Sequence, residues 1–267
     1  MKRQIFILAL IGFMQRTCLL IIVIIALMGC EKKHDLNETP DVYSESYVLY
    51  FVEVDSIFFE DQIIYNNAIG VAFKPKYEYP RMPDDSIMPD VEALVYEMRA
   101  AFRKEEEVRQ DSLRNRFNDN TYNRLTSHFN QSIANVFTGI DIISDQDFNS
   151  FEAGASLKGI TKLIGASPYK FIQSGYKKRF DWNLGTDIIP EDYKVGWGDR
   201  RILYDFGYFP VCNTLDRLTA DDLMLLGGGM LHLRFTETPA IKEHNLTITF
   251  YASDTTISNT VDIVFPE

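Results

Sequence analysis

The chain has 267 residues, 38 of them acidic and 27 basic, for a formal net charge of −11. A surface that negative repels polyanions, which excludes nucleic acid and anionic lipid headgroups as expected partners. Hydrophobic residues make up 46% and aromatics 13%, enough for a packed core.

At the start of the chain Lys2 and Arg3 precede an apolar run over 5–29, which is split by Gln15-Arg16-Thr17 and closed by Leu27-Met28-Gly29-Cys30. A positive start, an apolar core of roughly 7–15 residues and a small residue before the cut make a secretory signal. The closing tetrapeptide resembles the lipobox of bacterial lipoproteins, in which the cysteine is acylated and becomes the new N-terminus. Met14 offers a second start, with Arg16 as the positive flank and 18–28 as the core. An uncleaved spanning helix would need ~20 apolar residues in a row, and Arg16 shortens each piece. The resemblance implies a signal peptide over 1–29, acyl chains such as palmitate on Cys30, and a place in the cell envelope on the outer membrane. Cleavage removes Lys2, Arg3 and Arg16 and takes the formal charge from −11 to −14. It also removes Cys18, so that with Cys30 acylated only Cys212 stays free and no intramolecular disulfide can form. Cys212 has no histidine near it in sequence and reads as a buried, inert thiol rather than a nucleophile.

Residues 30–45 are polar and contain Pro40, as expected of a tether. Residues 47–54 are β-branched and aromatic, which predicts a strand buried on both faces. A second strand is expected over 63–73, interrupted by Asn66-Asn67 and Gly70, before a turn-rich stretch with Pro75, Pro80, Pro83 and Pro89. The period then changes. Val91, Leu94, Val95, Met98 and Phe102 recur at three and four residues, predicting a helix from Pro89 that frays by 118–120. Glu105 with Arg109 and Arg103 with Glu107 lie at i, i+4 and add support on its open side. Such a helix serves either as a partner-docking element or, as charge runs at this spacing usually do, as a solvated cap on a sheet edge.

Strands return at 136–143, closed by Ser144-Asp145-Gln146-Asp147, while 154–164 fits either class. Residues 165–217 mix glycines and prolines with aromatics, predicting short strands and long loops. Thr219 is the expected N-cap of a short helix over 220–226, with Asp222 in the capping-box position and Gly227-Gly228-Gly229 as its end. Met230-Leu231 follows the triplet where a phosphate loop needs Lys and Ser or Thr. The last 40 residues are the clearest: 230–235, 246–251 and 257–265 alternate, and Ser253-Asp254-Thr255-Thr256 turns the last two into a hairpin. Short alternating strands point to an antiparallel sandwich.

Three stretches together resemble uncharacterised Bacteroidota-type cell-envelope lipoproteins with an immunoglobulin-like β-sandwich: the lipobox, Ile143-Ser144-Asp145-Gln146-Asp147-Phe148 running to Ala153-Gly154-Ala155-Ser156-Leu157, and Leu233-Arg234-Phe235-Thr236-Glu237-Thr238-Pro239 with the hairpin after it. The resemblance covers about half of the chain after Cys30, and the 89–118 helix reads as an insertion into it. The fold expected is therefore mainly β, an immunoglobulin-like antiparallel sandwich over 46–267 with a charged helical insertion at about 78–125. The same resemblance implies O-glycosylation at Asp-Ser/Thr-aliphatic or Asp-Thr-Thr sequences, which makes Ser56, Ser86, Ser112 and Thr255 candidates. Glu31-Lys32-Lys33-His34-Asp35 departs from the acidic stretch that marks surface export in those bacteria, so the periplasmic and outer faces both stay open.

No catalytic constellation stands out. His34, His128, His232 and His244 have no third ligand at a telling spacing, so no metal and no cofactor is expected. Asp221-Asp222 are adjacent on a helix and point about 100° apart, as first-turn acids rather than a facing pair. No Gly-x-Ser-x-Gly occurs. Tyr169, Phe171, Tyr176, Phe180, Trp182, Trp197, Tyr204, Phe206, Tyr208 and Phe209 crowd a glycine-rich region, and Trp182 and Trp197 are the expected ligand contacts, the others serving as core. The expectation is a lipid-anchored binding or accessory module that meets a glycan or an envelope protein, with an envelope glycan hydrolase as the alternative.

Overall fold

Alternation of buried and open side chains builds two antiparallel sheets whose apolar faces share one core. The computed structural model describes residues 42–59, 67–77, 89–126, 130–180, 207–227 and 231–266, all within one unit spanning Asp41–Glu267. In chain order the elements are β1 (Val42–Ser44), β2 (Tyr50–Val52), β3 (Val54–Phe59), β4 (Ala68–Pro75), α1 (Pro89–Phe117), β5 (Arg124–Thr126), β6 (Gln131–Ile133), β7 (Phe137–Ser144), β8 (Thr161–Ser167), α2 (Tyr169–Gln173), β9 (Phe209–Thr214), α3 (Ala220–Leu223), β10 (Leu231–Phe235), β11 (Glu243–Ala252) and β12 (Thr256–Val264). The larger sheet has the order β3-β4-β10-β8-β9 and the smaller β12-β11-β7. Neither closes on itself. Two short ribbons complete the set, β1 antiparallel to β5 and β2 parallel to β6.

The main core joins Ile57, Ile69, Leu163, Leu231, Leu233 and Phe235 of the larger sheet to Phe137, Ile140, Ile142, Leu246, Ile248, Phe250, Ile257, Val261 and Ile263 of the smaller. Each such side chain contributes roughly 1.5–3 kcal/mol by leaving water. The hairpin expected at the C-terminal end is present, running in register from Glu243↔Val264 to Tyr251↔Thr256. The open edge of β3 is covered by Asn259, whose side-chain amide donates to the Ile57 carbonyl at 2.8 Å.

A second core gathers Tyr47, Phe51, Leu113, Phe117, Tyr122, Phe171, Tyr176, Tyr208 and Leu225 around the C-terminal end of α1. Its rings meet mostly edge to face, as between Tyr47 and Phe171 with centroids 4.8 Å apart. Gly207 lies against this cluster, and a β-carbon there would overlap the ring of Tyr47 and press on Phe171. The Gly207 N–H donates to the Tyr47 hydroxyl at 3.1 Å.

Several expectations need correction. Residues 47–54 are not one strand buried on both faces: β2 and β3 are separate, and Tyr50 is 52% exposed. Their backbone is held by distant side chains. Asp119 accepts from Tyr47 and Val48 N–H at 2.8 Å each, and the Gln110 amide both accepts from Phe51 N–H and donates to its carbonyl. Asn135 pairs in the same way with Val54. The helix starts at Pro89 as predicted, and among its described side chains Gln110, Leu113 and Phe117 in the last turns are buried, while Met98 is 50% exposed. Side chains of Val91, Leu94 and Val95 lie outside the described residues. Arg109 pairs with Glu106 rather than Glu105, and Arg103 bonds the Arg99 carbonyl. The helix therefore braces a strand rather than only capping an edge. The capping box on α3 is formed by Thr219 and Asp222, but the helix ends at Leu223, before the glycines. The α2 turn was not foreseen, and the parallel β2–β6 pair departs from a purely antiparallel scheme.

Candidate functional site

Trp182, Trp197, Cys30 and Ser86 lie outside the described residues, as do His34, His128, Tyr204 and Phe206. Of the other aromatics in that region, Phe171, Tyr176 and Tyr208 are buried in the second core, and Phe180 meets Phe209 with centroids 6.1 Å apart. They fill space inside the fold. Ser56 is half-buried on β3 and donates to Asp55, whereas Ser112 on α1 and Thr255 in the β11–β12 turn are exposed. Cys212 on β9 is half-buried, a correction to the buried thiol expected from sequence.

His232 is half-buried on β10 and His244 is buried on β11. Nε2 of His244 meets the Ile241 carbonyl at 2.8 Å, so it carries the proton, and Nδ1 then accepts from the Ser144 hydroxyl at 2.7 Å. This serine–histidine pair is buried, with the ring against Phe148 and Phe265. Both ring nitrogens are taken up by these two partners and the hydroxyl is buried, so the pair pins β7 to β11. Asp222 is held by Thr219 and by Lys170 at 3.0 Å. Burial pushes its carboxyl up, yet hydrogen bonds from Thr219 and Lys170 outweigh that and leave it below the ordinary value. It is a structural acid. No group of three or more metal-ligating side chains occurs among the described residues, and no described helix is long and apolar enough to cross a membrane.

Two open features carry accessible chemistry. The first is a cleft of about 550 Å³ between α1 and the start of β2, lined by Leu49, Tyr50, Arg103, Glu106, Gln110 and Arg114 among others. Its charges are largely spent on one another. Glu106 accepts from Gln110 at 2.8 Å and pairs with Arg109, and Arg114 reaches Asp111 at 2.9 Å.

The second is the outer face of the smaller sheet. Strand alternation sends Ile248, Phe250 and Ile257 inward and Thr247, Thr249, Tyr251, Ser258, Thr260 and Asp262 outward. Hydroxyls pair across the strands, Thr247 with Thr260 at 3.2 Å and Thr249 with Ser258 at 2.9 Å, and Asn245 donates to Asp262 at 2.6 Å. Tyr251 stands opposite Gly139 of β7, and its Cδ2 comes within 3.9 Å of where a glycine β-carbon would be. The ring is 40% exposed. Beside it Lys158 stands 6.0 Å from the ring centre and 3.7 Å from Asp141, which also accepts from Ser156 at 2.6 Å. An open aromatic face bordered by a carboxylate, an ammonium and rows of hydroxyls is suited to a ligand with apolar C–H faces and many hydroxyls. Sequence reading passed over Tyr251 because its partner on β7 is set by register, although its outward place in an alternating strand was readable.

Comparison with known proteins found no matching family model, no matching curated protein and no matching solved structure.

Proposed function

We propose that this chain is a cell-envelope lipoprotein, acylated at Cys30 and held on the outer membrane, whose immunoglobulin-like β-sandwich binds a glycan or another envelope component without turning it over. The observation that carries the anchoring is Leu27-Met28-Gly29-Cys30 at the end of an apolar run with basic residues before it. The sandwich reading is supported by two antiparallel sheets that share a core, with the chain passing between them from β7 to β8 and again from β10 to β11. Binding is supported by the Tyr251 surface, where an aromatic face and polar groups converge.

Anchoring is tested by expressing wild type and Cys30→Ala in a bacterium that processes lipoproteins, fractionating membranes and weighing the N-terminal peptide. Wild type is expected in the membrane with an acylated Cys30, and the variant outside it or uncleaved. A free Cys30 thiol in the membrane-bound wild type would overturn the reading.

A further inference from the structure

The ribbon of β1 and β5 carries an apolar pair that the fold leaves open. Tyr43 stands directly opposite Leu125, and the two are 65% and 60% exposed. Opposed residues of an antiparallel pair project on the same side with β-carbons about 4.5–5.5 Å apart, so they form one patch. The ribbon cannot turn this patch inward, because its other side is fixed. Thr126 is buried and donates to the Tyr47 carbonyl at 3.1 Å, the Tyr122 N–H donates to the Glu45 carbonyl at 2.7 Å, and the Tyr122 hydroxyl reaches the Leu125 carbonyl at 3.1 Å. Arg124 projects from the opposite face of the strand, its guanidinium 5.9 Å from the Tyr122 ring centre.

The position of the ribbon in the chain identifies its occupant. Val42 follows Cys30 by twelve residues, and a chain of that length reaches at most roughly 40 Å. With acyl chains on Cys30, the ribbon is confined to the first few nanometres above a bilayer, where even a weak surface contact is favoured by its high local concentration. Tyrosine is suited to the headgroup level and leucine to the acyl boundary below it. We propose that the β1–β5 ribbon seats on the lipid bilayer beside the anchor, with Tyr43 and Leu125 entering the interface. The inference rests on the acylation of Cys30. The net negative charge of the chain selects zwitterionic over anionic headgroups for this contact.

The experiment uses the full chain, processed in a bacterium and reconstituted into phosphatidylcholine vesicles, in a Cys212→Ser background. Leu125→Cys is labelled with an environment-sensitive dye, and Gln146→Cys, exposed after β7, serves as the control. The expected result is emission shifted to shorter wavelength and lost on adding brominated lipid for the label at 125 alone. A label at 125 as water-exposed as the one at 146 overturns the proposal, and so does shielding that depends on protein density rather than on lipid, which would assign the patch to a second copy. The mass of the N-terminal peptide separates the failures. An unacylated chain overturns the anchoring reading together with this one, whereas an acylated chain with the ribbon in water overturns this one alone.

Discussion

The Tyr176 hydroxyl donates to Oδ1 of Asp119 at 2.9 Å, and the carboxylate it meets has no solvent exposure. Tyr47 and Val48 N–H groups complete the set, one on each oxygen. Tyr176 reaches this place from a left-handed backbone, φ 60°, just after Gly175 at φ 63°, a conformation costing on the order of 1–3 kcal/mol for a residue other than glycine. The strain is offset by what Asp119 joins: the end of α1, the residues before β2 and the turn after α2. Asparagine is nearly isosteric but would present an N–H₂ to one of these donors. Asp119→Asn is therefore expected to lose about 1–3 kcal/mol in urea unfolding despite removing a buried charge, and Tyr176→Phe about 1–2 kcal/mol. An unchanged midpoint for Asp119→Asn would refute the account.

The two acids give opposite signatures against pH, and the phenol shares that of Asp119. Burial raises the Asp119 carboxyl above its ordinary 3.8, outweighing its hydrogen bonds, so the proton-linked stability it adds is full below 3.8 and is lost as pH rises through the folded value. Asp222 is lowered, so its contribution is present above 3.8 and is lost as pH falls through the folded value. Burial and the nearby Asp119 push the Tyr176 phenol from 10.0 up to about 12, so the fold loses stability between those two values as the unfolded chain ionises first. The difference between wild type and Asp222→Asn should thus be constant at neutral pH and shrink in acid. That between wild type and Tyr176→Phe should shrink from about pH 10 to 12. Unfolding free energies measured across both ranges check the two signs.

Gln110 supplies the hydrogen bonds that a neighbouring strand would otherwise give Phe51, at 2.9 Å to its N–H and 2.8 Å to its carbonyl. Gln110→Glu keeps the shape but turns a donor into an acceptor facing both the Phe51 carbonyl and Glu106. The expected loss is about 1–3 kcal/mol, with protection of the Phe51 amide against hydrogen exchange falling in parallel. Gln110→Glu that retains wild-type stability would show that the helix does not brace β2.

The limits of legibility follow from where each contact lies along the chain. The C-terminal hairpin and the start of α1 were readable because period, turn residues and Pro89 are local signals. The packing of the last turns of α1 was not. The stripe at 91–102 is the more continuous one, but Leu113 and Phe117 are the residues that meet Phe51 and the rings of the second core. The extended character of 47–54 was readable too, whereas its division between β2 and β3 depends on Asp119, Gln110 and Asn135, whose bonds to it span 59 to 81 residues. The site escaped for a similar reason. Trp182 and Trp197 drew attention by residue type, while Tyr251 stands opposite Gly139, a partner known only once the β7–β11 register is known.

Phe250 and Tyr251 are adjacent on β11 and face opposite ways, which turns one strand into its own control. Phe250 is fully buried against Phe73 and Phe137, with centroids 5.1 and 5.2 Å away, and Phe250→Ala is expected to cost roughly 3–5 kcal/mol. Tyr251→Ala should change stability by less than about 1 kcal/mol, since an exposed side chain on a sheet face has few contacts to lose. If the surface binds a glycan, the same variant should lose retention in affinity electrophoresis on envelope and dietary polysaccharides, with Lys158→Ala weakening it less. At Gly139 a β-carbon would already touch the Tyr251 ring at 3.9 Å, so the methyl groups of Gly139→Val should crowd the ring and weaken retention, a second route to the same surface. Retention unchanged in both Tyr251→Ala and Gly139→Val would remove this face from the binding account, while thermal melts confirm that each variant is folded.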